Sequence, residues 1–573
     1  MRIVLLYPPP WKIPAAGEPV DTDGEGPPPG LDTRQLLSGD ILNIPYGLLS
    51  LAAQSRRAGY DVTVLNLFSF AWTVIEQIIS AVPADLFGLS CFTSNRRGTL
   101  GLARLIRQLH PTTHIAVGGP HATALSLEIL RHAAAIDTVV IGEGEQTFLE
   151  LAACLAQRTD PDGIAGTARC RGGAEVLGRP RQRIADLDGL AVPCEFFNEY
   201  ILMTSRGCAW DCAFCASSAI WGRTCRRHSP EYILDMLDAV VNCNEQKAVA
   251  IKDETFTQNR EQVLALCKGI RERRLSFLWS CDTRADALDD ELLYALRSAG
   301  CQRISIGVES GSPDILAALQ KQIDLETVRR VTGQAKRFGL QIRFYMIVGS
   351  PGETLESLRD SLDFVAALQP NQVVYSPFTL LPGTHNFLQA EQAGRVSREQ
   401  FFTEDFFEMS PLQDAAIPEQ RELRDWILEH SGLQEVWSYG VEECTEILSL
   451  FPDHSAAWLD LAGAHYRQGQ YKETERCCRR AQELGYPLPG LIYNYYACCA
   501  LNQGEPKGML ENLIQAGQAG FHDVVEQNIE AAQNWIKAGG PDAARPLELR
   551  AGHDFEVTRP LQQPMTPGRI VIQ

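Results

Sequence analysis

Short β-branched runs alternate with amphipathic stretches through the first 390 residues, and this alternation leaves few folds open. Residues 2–6, 61–65, 85–90, 115–117 and 138–141 read as strands, and 46–58, 99–109 and 125–134 between them carry apolar residues at helical spacing. Strand–helix alternation at this pitch implies βαβ units and a mostly parallel, doubly wound (Rossmann-like) sheet over residues 1–165. Residues 8–30, rich in Pro, Gly and Asp, read as a loop. Residues 166–195, with Asp186-Leu187-Asp188 near their end, read as a connector. The alternation resumes over 196–390 with candidate strands at 200–204, 248–252, 277–280, 303–307, 341–348 and 372–376. At 229–241 Ser229 can cap a helix, Pro230 suits its first position, and Ile233, Leu234, Leu237, Val240 and Val241 share one face. Six such units predict a partial (β/α)6 barrel with its chemistry at the C-terminal ends of the strands. Residues 391–540 read as all-α, with no strand expected beyond about residue 420. No fold is assigned to 541–573.

A chain of 573 residues is too long for one core, which agrees with several domains. Its 52 basic against 71 acidic residues give a formal charge of −19, which argues against nucleic acid or an anionic membrane surface as main partner. No apolar run reaches the roughly 18 residues that span a bilayer. The start reads into prolines too soon for a signal peptide, so a cytoplasmic protein is expected. In a reducing compartment, 17 cysteines point to metal or redox chemistry before disulfides.

Three of them stand in Gly207-Cys208-Ala209-Trp210-Asp211-Cys212-Ala213-Phe214-Cys215, a C-x3-C-x2-C spacing just after a strand. Three thiolates in eight residues can hold a cluster of four irons and leave one iron without a protein ligand. A structural zinc site is the bland alternative, but zinc takes four ligands and no fourth Cys or His lies within hairpin reach. The segment resembles the signature of the radical S-adenosylmethionine (SAM) superfamily. Asp253-Glu254-Thr255-Phe256, Trp279-Ser280-Cys281-Asp282-Thr283-Arg284, Gly307-Val308-Glu309-Ser310-Gly311, Gly349-Ser350-Pro351-Gly352-Glu353 and Leu381-Pro382-Gly383-Thr384 resemble family segments in the same order. The resemblance implies a [4Fe-4S] cluster on Cys208, Cys212 and Cys215. It also implies SAM contacts from Phe214, Asp253, Arg284, Glu309 and Gly349. A barrel-mouth ion pair is the alternative for Arg284 and Glu309, and a plain tight turn for Gly349. The other fourteen cysteines read as structural.

In the first domain, Ser90-Cys91-Phe92-Thr93-Ser94-Asn95, Val117-Gly118-Gly119-Pro120-His121 and Ile141-Gly142-Glu143-Gly144-Glu145 end strands, where a doubly wound fold has its crevice. Neither glycine loop is a GxGxxG or Walker sequence. Together the three segments resemble the cobalamin-binding domain that precedes some radical SAM barrels. The resemblance implies cobalamin contacts from Thr93, Ser94, Asn95, Gly118, Gly119, Pro120, His121, Gly142, Glu143, Gly144 and Glu145. The D-x-H-x-x-G element that supplies a cobalt ligand in many such domains is missing, since the chain reads Asn66-Leu67-Phe68-Ser69-Phe70-Ala71-Trp72 there. Trp72 is then an apolar cap under cobalt or a core residue.

Trp458, Leu461, Ala462, Gly469, Tyr471 and Ala481 fit the tetratricopeptide pattern, and Tyr493, Tyr496, Ala497, Gly504, Leu513 and Ala516 repeat it more weakly. Such repeats offer a groove for a peptide or carrier protein, or simply lid the barrel. Taken together, the resemblances imply a cobalamin-dependent radical SAM methyltransferase. It would use a 5′-deoxyadenosyl radical and methylcobalamin on an unactivated carbon of a small-molecule or peptide substrate, with a flavodoxin- or ferredoxin-type electron donor. The rival readings are a non-methylating rearrangement, cyclisation or oxidation, and, from another class, a cobalamin-sensing scaffold.

Overall fold

The computed structural model describes residues 1–9, 45–68, 70–197, 200–243, 247–403, 418–520, 522–542 and 545–554. Most of the loop expected over 8–30, and the end of the chain after 554, lie outside the described residues.

Strands β1 (Arg2–Tyr7), β2 (Asp61–Asn66), β3 (Leu86–Ser90), β4 (His114–Gly118) and β5 (Thr138–Val140) pair in parallel in the order β2-β1-β3-β4-β5. The order reverses at β1, so the crevice opens at the carboxyl ends of β1 and β3. Alternate residues of each strand feed separate cores, as a doubly wound sheet requires. Val4, Leu6, Phe87 and Val117 face one layer of helices, and Ile3, Leu5, Leu86 and Ala116 face the other.

The stretch expected as a plain connector instead extends this sheet. Strands β6 (Thr167–Arg171) and β7 (Ala174–Leu177) form an antiparallel hairpin on β5. Gly172 and Gly173, both at positive φ, make its two-residue turn. The hairpin's outer residues are polar or exposed, so no apolar run announced it.

The second sheet has the order β16-β15-β14-β13-β12-β11-β8. Its strands β8 (Ile201–Leu202), β11 (Ala248–Ile251), β12 (Leu278–Thr283), β13 (Cys301–Glu309), β14 (Gln341–Val348) and β15 (Gln372–Pro377) are parallel, the six units expected for a partial barrel. Between β8 and β11, β9 (Ser205–Arg206) and β10 (Arg226–Arg227) pair antiparallel. β16 (Gly432–Glu435) then adds antiparallel to β15, a strand where none was expected. Gly-Leu-Gln-Glu has one apolar side chain, Leu433, and it is exposed, so burial left no signature in the sequence. The helix read from 229–241 runs over Pro230–Asp238, capped by the Ser229 hydroxyl accepting from the Tyr232 N–H at 3.2 Å.

Six helices, Val441–Leu450, Ser455–Arg467, Tyr471–Glu483, Pro489–Asn502, Pro506–Gln518 and Asp523–Lys537, stack in antiparallel succession. They pack beneath the barrel rather than over its mouth, which corrects the lid reading. Tyr294 stacks on Phe451 (centroids 5.1 Å), and Tyr439 donates to the Leu340 carbonyl at 2.7 Å, just ahead of β14. Both contacts lie at the amino-terminal ends of the barrel strands. No helix of the described residues is long and apolar enough to cross a membrane.

Candidate active site

The loop bearing Cys208, Cys212 and Cys215 is fixed at both ends by the β9–β10 pair, Arg206 facing Arg226 and Ser205 facing Arg227. Asp253, just beyond β11, accepts from the backbone N–H groups of Thr204 (2.6 Å) and Ser205 (3.1 Å) and from both their hydroxyls (2.5 and 2.7 Å). A buried carboxylate with this many donors is a fixing point for the chain that enters the loop. Its acceptor capacity is therefore largely used within the chain. Glu254 takes the Gly207 N–H at 3.2 Å. In mid-loop, Ala213 donates to the Leu319 carbonyl at 2.9 Å and accepts from the Asn386 N–H at 3.0 Å. Gly207 sits at φ +98, where a Cβ would come within 2.5 Å of the Thr224 carbonyl, so only glycine fits there.

All three cysteines are free thiols, as is every cysteine whose side chain is described. Among the described residues, no group of three His, Cys, Asp or Glu side chains is gathered as a ready-made metal cage. The donor set nonetheless fits an iron–sulfur cluster. All three thiols are half-buried, and burial, seconded by the neighbouring cysteines, pushes Cys215 up to about 11. Cys212 is also raised, by burial against the opposing charges of Lys321 and Arg284. Thiolates crowded in such a pocket would need a compensating positive charge, which the irons of a cluster would supply on ligation.

Around Cys212 the barrel brings together residues that are distant in sequence. Arg284, at the end of β12, places Nη1 4.0 Å from Cys212 Sγ. It also pairs with Asp286 at 2.8 Å and lies 4.5 Å over the Trp210 ring. Glu309 ends β13 at φ +72, in the left-handed region that a bulky residue rarely occupies. A break in the β13–β14 register accompanies it. The conformation turns its carboxylate over Gly307 to meet Lys321 Nζ at 2.9 Å, both side chains buried. Lys321 had no signature in the sequence; only the fold brings it here. Phe214 packs in an apolar cluster with Leu125 of the first domain and Ile315, Leu319, Phe378 and Phe387 of the barrel.

Gly349, at φ +87 beyond β14, is a tight turn first. Its N–H and that of Ser350 donate to one oxygen of Glu353, the latter at 2.9 Å. The other oxygen of Glu353 is buried without a partner, and burial holds this carboxyl up to about 7. Since the folded form binds the proton more tightly than the unfolded one, stability is full below pH ~4 and declines as pH rises from there to about 7. Glu353→Gln keeps an acceptor for both N–H groups and removes the charge. In guanidinium melts it is expected to match the parent near pH 4 and to exceed it at pH 8 by roughly 3 kcal/mol. An equal difference at both pH values would show that Glu353 does not titrate in this way.

In the first domain, His121 is buried, with Nδ1 3.0 Å from the Thr93 hydroxyl and Nε2 without any partner. Burial, seconded by Arg96, lowers its pKa to about 3, so the ring is neutral. Gly142, at φ +74, donates its N–H to Thr123 at 3.0 Å, and a Cβ there would meet only open space. An accessible backbone beside a buried, unsatisfied imidazole suits a bulky polar ligand at this strand edge. At Gly119 a Cβ would instead strike the Cys91 carbonyl at 2.7 Å, so this glycine serves loop-to-loop packing. Gly118 and Pro120 flank it, and Thr93 and exposed Ser94 form the facing loop.

Four expected cobalamin contacts are otherwise engaged. Asn95 accepts from the Phe92 N–H at 2.7 Å and donates to the Ser90 and Pro8 carbonyls. Trp72 is buried in the core among Ile75, Phe87 and Leu102, which favours packing over a cap under cobalt. Glu143 accepts from the Ile184 N–H and pairs with Arg226 at 2.5 Å. Glu145 pairs with Arg206 at 2.6 Å and accepts from Ser50. These two carboxylates join the domains through the base of the cysteine loop, a role that their Gly-Glu-Gly-Glu setting does not announce. Burial opposes the charge on Glu145, but Arg206 prevails and lowers its pKa.

With this geometry in place, the family of the B12 binding domain matches residues 42–152, and the Radical SAM superfamily matches residues 202–365. The chain thus carries a B12 binding domain followed by a radical SAM domain. The chain is 29% identical over 353 residues to an uncharacterized methyltransferase of Pyrococcus horikoshii, covering 59% of this chain and 77% of that one. It is 24% identical over 405 residues to an anaerobic magnesium-protoporphyrin IX monomethyl ester cyclase of Rubrivivax gelatinosus, covering 67% and 72%. In fold it is similar to the radical SAM methyltransferase TsrM of Kitasatospora setae, solved with cobalamin and a [4Fe-4S] cluster. The TM-score is 0.56 at 16% identity, covering 84% of this chain and 99% of that one.

Proposed function

We propose that this protein is a cobalamin-dependent radical SAM methyltransferase acting on an unactivated carbon of a small-molecule or peptide substrate. The observation that carries the reading is the position of the cysteine loop between the barrel mouth and the carboxyl-end loops of the B12 binding domain. Phe214 and Leu125 share one apolar cluster, and a Cβ at Gly383 would lie 3.7 Å from Ala124. When bound, the cluster supplies the electron that cleaves SAM, and cobalamin carries the methyl group.

Cys208, Cys212 and Cys215 hold three of the four irons. Arg284, Glu309 and Lys321 offer charges of both signs to the amino-acid part and ribose of SAM, and the Phe214 backbone and the Gly349 turn border the nucleoside. Asp253 acts through the loop it fixes. Thr93, Ser94, His121, the Gly118–Pro120 loop, Gly142 and Gly144 receive the corrin and its nucleotide tail, while Asn95, Trp72, Glu143 and Glu145 shape that crevice from behind. The ion pairs of Arg206 and Arg226 close the seam between the domains, which keeps water from the reacting carbon. A flavodoxin- or ferredoxin-type protein supplies electrons, and the helical repeats offer a place for a peptide or carrier protein.

A second reading has one specific observation in its favour, the similarity to the magnesium-protoporphyrin cyclase. It keeps both cofactors and transfers no methyl group. Anaerobic reconstitution with iron, sulfide and cobalamin, followed by SAM and a reductant, separates the two. A methylase yields both 5′-deoxyadenosine and S-adenosylhomocysteine. Deoxyadenosine alone would favour the cyclase-like reading.

A further inference from the structure

The groove of the helical repeats is filled by the chain itself. Residues 545–554 form neither helix nor strand, yet they run extended. Leu547 and Leu549 turn inward against a cluster that includes Met509 and Leu513, while Glu548 and Arg550 face solvent. Two buried amides read the main chain at Arg550. Its N–H donates to Asn528 Oδ1 at 2.8 Å, and its carbonyl accepts from Asn528 Nδ2 at 2.8 Å and Asn494 Nδ2 at 3.0 Å. The amides are themselves joined, Asn528 donating to Asn494 at 2.7 Å. Three residues on, the His553 ring bridges the Tyr495 hydroxyl (2.7 Å) and Asp460 (2.9 Å). Gly463 leaves the space for it, since a Cβ there would lie 3.0 Å from the imidazole. Asp554 then pairs with Arg303 of β13 at 2.7 Å.

Apolar cover alone would not call for two buried amides aimed at main-chain groups, nor for a niche cut to one imidazole. We infer that the repeats form a peptide-reading groove whose resident ligand is the chain's own segment 547–554. An extended segment of a partner protein engages it only by displacing that ligand. The partner's recognisable chemistry is that of the resident: two leucines one residue apart, a main chain free to bond both ways after the second, and a His-Asp pair three residues beyond that. Displacement also withdraws the Asp554 carboxylate from Arg303, so occupancy is felt at the barrel.

The test uses the full chain with a protease site placed between Asp542 and Arg545, before and after cleavage. A fluorescent peptide of residues 545–554 is added and its anisotropy followed. Cut protein is expected to take up the peptide saturably while uncut protein does not, and Asn528→Ala in the cut background weakens uptake roughly tenfold by removing two hydrogen bonds. Equal binding by cut and uncut protein would overturn the inference, because the groove would not be occupied. So would cut protein that sheds its tail yet refuses the peptide. Loss of helical circular dichroism on cleavage would overturn it too, by making the segment part of the domain rather than its ligand.

Discussion

Replacing any one of Cys208, Cys212 and Cys215 with alanine is expected to reduce iron from about four per chain to background, and with it both nucleoside products. The argument rests on ligand number. Three thiolates on four irons already leave one iron open, and two would leave half the cluster unheld. No spare side chain stands ready to substitute, since among the described residues no further His, Cys, Asp or Glu completes a cage. Cys225, the nearest cysteine in sequence, lies beyond the loop at the start of β10 and is raised by its own burial. Alanine at Cys267 or Cys301, both buried in the barrel core, is the matched control. Those variants should lose on the order of 1 kcal/mol of stability and keep the cluster absorption. Iron retained after loss of a triad member would sink the assignment, and with it the case against a sensing or scaffold role. Iron lost equally from the core variants would mean that the assay reads folding rather than ligation.

The triad could be read from the chain because its three ligands are local: spacing alone puts them on one loop. The parallel strands were legible for a similar reason, since Val4 and Leu6 or Ile304 and Ile306 follow a period of two along a single strand. What escaped was made by contacts between distant segments. Lys321 becomes a partner of Glu309 only through the turn after a barrel helix, and the strain at Glu309 belongs to a backbone angle that no residue type declares. Asp253 stood in a family-like segment and looked available, but the hydroxyls that occupy it belong to Thr204 and Ser205, about fifty residues earlier. The Gly-Glu-Gly-Glu loop misled in the same way. Gly142 faces open space and Gly144 packs on Leu51, while the loop's carboxylates answer arginines of the next domain. β7 and β16 were missed because an edge strand with one wet face needs no apolar run, and β6 beside β7 ends in exposed residues.

Those arginines carry the other large expected effect. Arg206→Met should cost about 3–5 kcal/mol of stability at neutral pH and split one thermal transition into two, as the B12 binding domain and the barrel come apart. Arg206 is almost fully buried, reaches Glu145 at 2.6 Å and Glu143 at 3.8 Å, and lies 5.4 Å over the Trp221 ring. Its removal leaves the buried Glu145 carboxylate with the Ser50 hydroxyl in place of a cation. The pH dependence follows from the direction of the Glu145 shift. Because Arg206 holds its folded pKa below the unfolded value of ~4.3, the pair's stabilisation is complete above that pH and fades as acid titrates the folded carboxylate. In the variant the unpaired carboxylate prefers its proton, so acid relieves it. The gap in melting temperature between parent and variant should therefore be widest near pH 7 and narrow towards pH 4. Arg206→Lys keeps the charge but not the fork that spans both carboxylates, and should recover only part of the loss. A neutral-pH cost under about 1 kcal/mol would place the pair in the range of exposed ion pairs. The seam between the domains would then be held by the apolar cluster of Leu125, Phe214 and Phe401, and the cysteine loop would owe its position to Asp253, Glu254 and the β9–β10 pair within the barrel.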